Sequence, residues 1–132
     1  MYYDSSEIPA CPAARVVIID NTSGATFGPF DALIDTGADT TCIPNNITNN
    51  IPNLIYSWHE VQFLDGSKPQ WKKFVSIDDA TVQFLAADDT VLLAGSYSDL
   101  LLQPIDNGLL GRDILNFHIC EFDGPMLKCT IR

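Results

Sequence analysis

Apolar residues in this chain fall into short runs cut by turn residues, the pattern of a strand-rich protein. Arg15-Val16-Val17-Ile18-Ile19-Asp20 is one such run, Asn21-Thr22-Ser23-Gly24 is a turn, and residues 30–34 are a second run, so a hairpin is predicted there. Val61-Gln62-Phe63-Leu64 and residues 69–75 flank Asp65-Gly66, a strong tight-turn signal, and predict another hairpin. Alternation over residues 81–85 and the apolar runs 91–94 and 100–102 predict three further strands, separated by Asp88-Asp89 and by Gly95-Ser96-Tyr97-Ser98. Ile114, Leu115 and Phe117 are spaced as the apolar face of a short helix after Gly111. Two closing strands are expected over residues 118–122 and 126–131, around Gly124-Pro125. Ile43-Pro44 and the Asn-rich stretch 45–53 predict a loop or a single helical turn, and residues 1–14, with Pro9 and Pro12, an extended arm. The fold class is all-β, mostly antiparallel, with one short helix near the C-terminus.

Composition narrows the function. With 132 residues, the chain is expected to hold one domain, spanning residues 15–132 behind the arm. Hydrophobic residues at 46% and charged residues at 18% fit a globular protein, and no apolar run reaches the ~20 residues of a membrane span. A net charge of −10, with only seven Lys and Arg, argues against a nucleic-acid surface, which needs clustered cations. Cys11, Cys42, Cys120 and Cys129 lack Cys-x-x-Cys spacing, so no metal site is expected. Asn21-Thr22-Ser23 and Asn46-Ile47-Thr48 fit the glycosylation pattern, yet the N-terminus shows no signal-peptide pattern. A cytoplasmic setting with reduced cysteines is therefore expected, the glycosylation patterns being incidental; a fragment of a larger precursor would look the same.

One stretch carries chemistry. Ala32-Leu33-Ile34-Asp35-Thr36-Gly37-Ala38-Asp39-Thr40-Thr41 leads a carboxylate out of an apolar strand into a glycine turn, where main-chain N–H groups can approach it. A carboxylate at the end of a buried strand needs hydrogen bonds or a shared proton, which makes Asp35 the catalytic candidate. Asp-Thr-Gly-Ala after an apolar strand resembles the aspartic peptidases, and the longer match is similar to the retropepsins. Leu109-Leu110-Gly111-Arg112-Asp113-Ile114-Leu115 is similar to that family's later element, with Gly111 lying 76 residues after Asp35.

The resemblance implies an aspartic endopeptidase with a small retropepsin-like fold, no cofactor and a polypeptide substrate. Hydrolysis by carboxylates requires one to accept a proton from water and one to donate a proton to the substrate. The chain offers no second Asp-Thr-Gly or Asp-Ser-Gly, so a homodimer is expected to bring two copies of Asp35 together. Like charges so close resist double ionisation, and the pair shares one proton, as the carboxylate dyad of aspartic proteases does. By resemblance, Thr36 links the two turns, Gly37 lines the peptide path, and Asp39 pairs with Arg112, tying the turn to the helix that follows Gly111. Substrate contact is expected at Ala38 and Asp39 and at Phe63, Leu64, Asp65 and Gly66 of the second hairpin, which stands where the family places its flap. Lys68, Trp71, Lys72 and Lys73 replace a glycine-rich tip, and Thr40 departs from the second acid of some viral members. Two alternatives stand beside this reading. A retropepsin-like interaction or dimerisation domain would keep the fold without cleavage, and His59 or His118 with Cys42 or Cys120 would make a cysteine peptidase, for which no nucleophile motif exists.

Overall fold

The computed structural model describes residues 1–6, 10–62 and 65–132. Among them the order is β1 (Tyr2–Asp4), β2 (Cys11–Asp20), β3 (Thr26–Ile34), β4 (Cys42–Pro44), α1 (Asn45–Thr48), β5 (Tyr56–Val61), β6 (Gln70–Leu85), β7 (Val91–Ile105), β8 (Gly108–Leu110), α2 (Arg112–Leu115), β9 (Cys120–Asp123) and β10 (Lys128–Ile131). Strands β2-β3-β8-β4-β7-β6 are neighbours in that order, and β6 pairs back onto β2, closing a barrel. β1 and β5 extend its edges, and β9 with β10 makes a separate ribbon. Two pairings, β3 with β8 and β4 with β7, are parallel. The chain is thus all-β, as its run pattern predicts.

Burial explains the pattern. Val16, Val17 and Ile18 are all buried because β2 is hydrogen-bonded to β3 on one side and to β6 on the other. In β3 the inward side chains are Phe27, then Phe30, Ala32 and Ile34, so alternation breaks once. Gly28 causes the break: its φ is +112°, the β2–β3 register shifts opposite it, and a Cβ there would stand 2.9 Å from the Val16 carbonyl oxygen. A bulge at glycine re-aims the strand so that its last inward residue, Ile34, ends beside the catalytic candidate. Ile18, Phe27, Ile43, Ile77, Phe84, Leu102, Leu110 and Ile114 are fully buried and fill the barrel. Each such side chain contributes about 1.5–3 kcal/mol relative to an exposed one.

Several sequence expectations are corrected here. Residues 91–94 and 100–102 are one strand, because Gly95, Ser96, Tyr97 and Ser98 pair with Val82, Thr81, Ala80 and Asp79 of β6. Ladder partners and the burial of Tyr97 override the weak strand preference of Gly and Ser. The second hairpin pairs earlier than expected: its ladder runs from Tyr56↔Val75 to Val61↔Gln70, and residues 65–69 lie outside it. Its register is nevertheless centred on Asp65-Gly66, with Gly66 at φ +78°. Phe117 does not share the buried face of Ile114 and Leu115; it is 75% exposed, beyond the helix end. Within the segment 1–14, Tyr2–Asp4 pairs back onto residues 11–13, and Ala13 and Ala14 are buried.

Candidate active site

The site forms where β3 ends against β8. Ile34 pairs with Leu110, and the Asp35 N–H donates to the Leu110 carbonyl at 3.0 Å, which fixes where the strand stops. The chain then turns on its own acid. The Gly37 N–H donates to Asp35 Oδ1 at 2.9 Å, and the Ala38 N–H donates to the Asp35 carbonyl at 3.2 Å. Asp35 is half-buried, while Thr36 and Gly37 are exposed at the surface of the turn. A Cβ at position 37 would stand 3.2 Å from Asp35 Oδ1, so a bare backbone suits this approach.

A second layer holds the turn from behind. The Arg112 N–H donates to the Ala38 carbonyl at 2.8 Å, and the Arg112 guanidinium pairs with the Asp39 carboxylate. Both side chains are substantially exposed, so the pair adds at most ~1 kcal/mol and serves chiefly to orient. Behind it lies a buried link. Thr41, with no exposed surface, donates its hydroxyl to Asp113 Oδ1 at 2.7 Å and its N–H to Asp113 Oδ2 at 3.0 Å, while its hydroxyl oxygen accepts the Gly111 N–H at 3.1 Å. Glycine is required at 111, since a Cβ would stand 2.6 Å from the Thr40 carbonyl carbon and 2.7 Å from its oxygen. Sequence reasoning missed Thr41 and Asp113. The available signal was a hydroxyl residue directly before the apolar pair Cys42-Ile43, and an acid directly after Arg112.

The structure therefore brings Asp35, Thr36, Gly37, Ala38, Asp39, Gly111 and Arg112 into one assembly. A cleft of about 370 Å³ opens beside it, lined by Asp39 and Thr40 of the turn, His59, Glu60, Val61, Gln62 and Phe74 of the β5–β6 hairpin, and Leu101 and Gln103 of β7. Asp65 and Gly66 stand at the hairpin's far end and do not line that cleft; Phe63 and Leu64 lie outside the described residues. His59 shares a hydrogen bond with Ser57 at 2.8 Å, Ser57 shares one with Ser76 at 2.7 Å, and the imidazole stands edge-on to Phe74. His118 is bonded to the Tyr97 hydroxyl and the Arg132 carbonyl.

Among the described residues neither Cys42 nor Cys120 is hydrogen-bonded to a histidine; Cys42 Sγ faces the Thr40 carbonyl instead. Burial, reinforced by the carboxylates of Asp113 and Asp35, pushes the Cys42 thiol up to about 11, so it is protonated at neutral pH and a poor nucleophile. Burial also raises the Cys120 and Cys129 thiols. Among the described residues no three His, Cys, Asp or Glu side chains are grouped to hold a metal, and no helix is long and apolar enough to cross a membrane.

Compared with known proteins, the chain matches the sequence model of a retroviral aspartyl protease over residues 12–122, a span containing both the Asp35 turn and the Gly111 helix. Comparison with curated protein sequences gives no match.

Proposed function

Because the chain belongs to the retroviral aspartyl protease family, we propose that it is an aspartic endopeptidase whose catalytic water sits between the Asp35 carboxylates of two copies. One observation carries this reading: the other acids of the turn and helix are committed, Asp39 to Arg112 and Asp113 to Thr41, whereas Asp35 holds only the Gly37 N–H through Oδ1 among the described residues. A single free carboxylate cannot be proton acceptor and proton donor at once. A second copy related by a two-fold axis supplies the missing acid.

In this mechanism the ionised Asp35 takes a proton from water as the water oxygen bonds to the peptide carbonyl carbon, and the protonated Asp35 gives its proton to the carbonyl oxygen. The tetrahedral diol then collapses: the C–N bond breaks, the nitrogen gains a proton from the carboxyl that took one, and a diol hydroxyl returns its proton to the other. Thr36, exposed beside Asp35, reaches the partner's turn, and Gly37 lets an extended peptide pass close to the acids. The β5–β6 hairpin closes over the peptide and excludes water, adding main-chain hydrogen bonds.

Each copy brings −10 at neutral pH, so association and turnover improve under mildly acidic conditions, where carboxylates protonate and repulsion falls. The test is hydrolysis of a peptide library by the wild type and by Asp35→Asn, with circular dichroism as the control on folding. Loss of cleavage in a folded Asp35→Asn chain, and block of the wild type by a statine-type mimic, are expected. Undiminished cleavage by Asp35→Asn overturns the assignment.

A further inference from the structure

A second cavity lies at the root of the β5–β6 hairpin, and none of its lining residues belongs to the Asp35 turn or to the cleft. It holds about 390 Å³, and Ile51, Pro52, Leu54, Ile55 and Val75 give it apolar walls. Local backbone shapes it. Gly24, at φ +80°, turns β2 into β3 on one side, and Asn53, at φ +61°, bends the 51–55 segment on the other. The Ser76 N–H donates to the Ile55 carbonyl at 3.4 Å, and the hairpin ladder begins directly beyond, at Tyr56↔Val75. Ile55 is 76% exposed, an apolar side chain left in water at the cavity wall. A concave, largely apolar cavity of this size with few polar groups is the ordinary form of a small-molecule site.

Charge says what the cavity takes. Among the described residues that line it, Asp20 is the only ionisable one. Its Oδ1 accepts the Thr22 N–H at 3.0 Å and the Ser23 N–H at 3.4 Å, whereas Oδ2 has no partner among the described residues. Asp20 is half-buried and forms no ion pair with the described Lys, Arg or His side chains. Taking a carboxylate partly out of water is costly, and an ammonium beside it offsets that cost. We propose that this cavity binds a small organic amine, an ammonium group carried on an apolar body. The ammonium meets Asp20 Oδ2, and the apolar body packs on Leu54, Ile55 and Val75. An anionic ligand fits less well, because the lining offers it no Lys, Arg or His and the chain carries −10. A bound amine touches Ile55 and Val75, where the two strands of the hairpin begin.

Amide NMR of the full chain reads the cavity, because Gly24, Ala25, Ile55 and Ser76 of its lining each contribute an N–H signal. The measurement involves no cleavage, so it stands whether or not the chain is a protease. The probe is phenethylamine. The comparison ligands are 2-phenylethanol and 3-phenylpropionate, which remove or reverse the charge, and methylamine, which lacks the apolar body. Saturable movement of those four signals with phenethylamine is expected, with binding roughly tenfold or more weaker for each comparison ligand. Asp20→Asn keeps the Oδ1 acceptor of the turn and is expected to weaken phenethylamine roughly tenfold or more while leaving 2-phenylethanol unchanged. Ile55→Ser changes an exposed position, so it keeps the fold, and it is expected to weaken phenethylamine severalfold should Asp20→Asn fail to fold. Equal binding of 3-phenylpropionate reduces the cavity to an apolar hole, and equal binding of methylamine reduces it to charge alone. Undiminished binding by folded Asp20→Asn or by Ile55→Ser places the amine elsewhere, and unmoved signals remove the site; each of these outcomes overturns the proposal.

Discussion

Replacing Thr41 by Val keeps the side chain's shape and removes the hydroxyl that joins Gly111 to Asp113. The loss has two parts. A hydrogen bond to a charged carboxylate contributes about 1.5–3 kcal/mol, and a buried N–H left without a partner, here that of Gly111, costs about 1–3 kcal/mol. Thr41 and Gly111 are buried, so water does not replace the bond to the Gly111 N–H without opening the structure, whereas Asp113 is half-buried and regains some hydration. The combined expectation is a loss of about 3–5 kcal/mol, a large share of the ~5–15 kcal/mol stability of an ordinary domain. In thermal terms that is a fall of roughly 10 °C or more for a chain of this size. Urea unfolding at fixed protein concentration measures it, with a lower midpoint at unchanged slope, the fixed concentration being needed because association also stabilises. Thr41→Ser is the control, since it keeps the hydroxyl and gives up only a methyl, about 1 kcal/mol. If Thr41→Val is no less stable than Thr41→Ser, the buried link is not what holds the turn to the helix.

Gly111→Ala forces a Cβ into the Thr40 backbone, so it is expected to destabilise by several kcal/mol and to abolish cleavage, which unfolding and peptide assays read together. Breaking the exposed Asp39–Arg112 pair in a double-mutant cycle of Asp39→Asn and Arg112→Gln is expected to show a coupling of at most ~1 kcal/mol; a coupling above ~3 kcal/mol contradicts its exposure. On the alkaline side, burial raises the Cys42 thiol from 9.0 to about 11 and the Tyr97 hydroxyl, with Asp113 adding to the effect, from 10.0 to about 12. The folded chain therefore holds protons that the unfolded chain releases first, so this stability is fully present below pH 9 and falls as pH rises from 9 to 12. Urea midpoints across that range check the sign, and a midpoint that rises with pH contradicts it.

The elements that were legible in the sequence are those whose neighbours lie close in the chain. The hairpin of residues 15–20 and 30–34, the turn at Asp65-Gly66 and the helix after Gly111 each carry their own local signal. What was not legible depends on distant partners. The continuity of β7 through Gly95–Ser98 is dictated by β6, and the bulge at Gly28 by the close approach of Val16. At the site, Asp35 stood out because an acid after three apolar residues demands a reason. Thr41 and Asp113 did not, because their bond spans 72 positions and each alone is an ordinary polar residue.

The most direct test of the two-copy site is subunit mixing. Wild-type chain and Asp35→Asn chain are allowed to exchange at fixed total concentration, and peptide hydrolysis is followed as the wild-type share falls. If each active site needs Asp35 from both copies, activity follows the square of that share, about one quarter at an equal mixture under random pairing. Activity that falls in direct proportion, to one half at an equal mixture, would mean each chain works alone and would contradict the shared dyad.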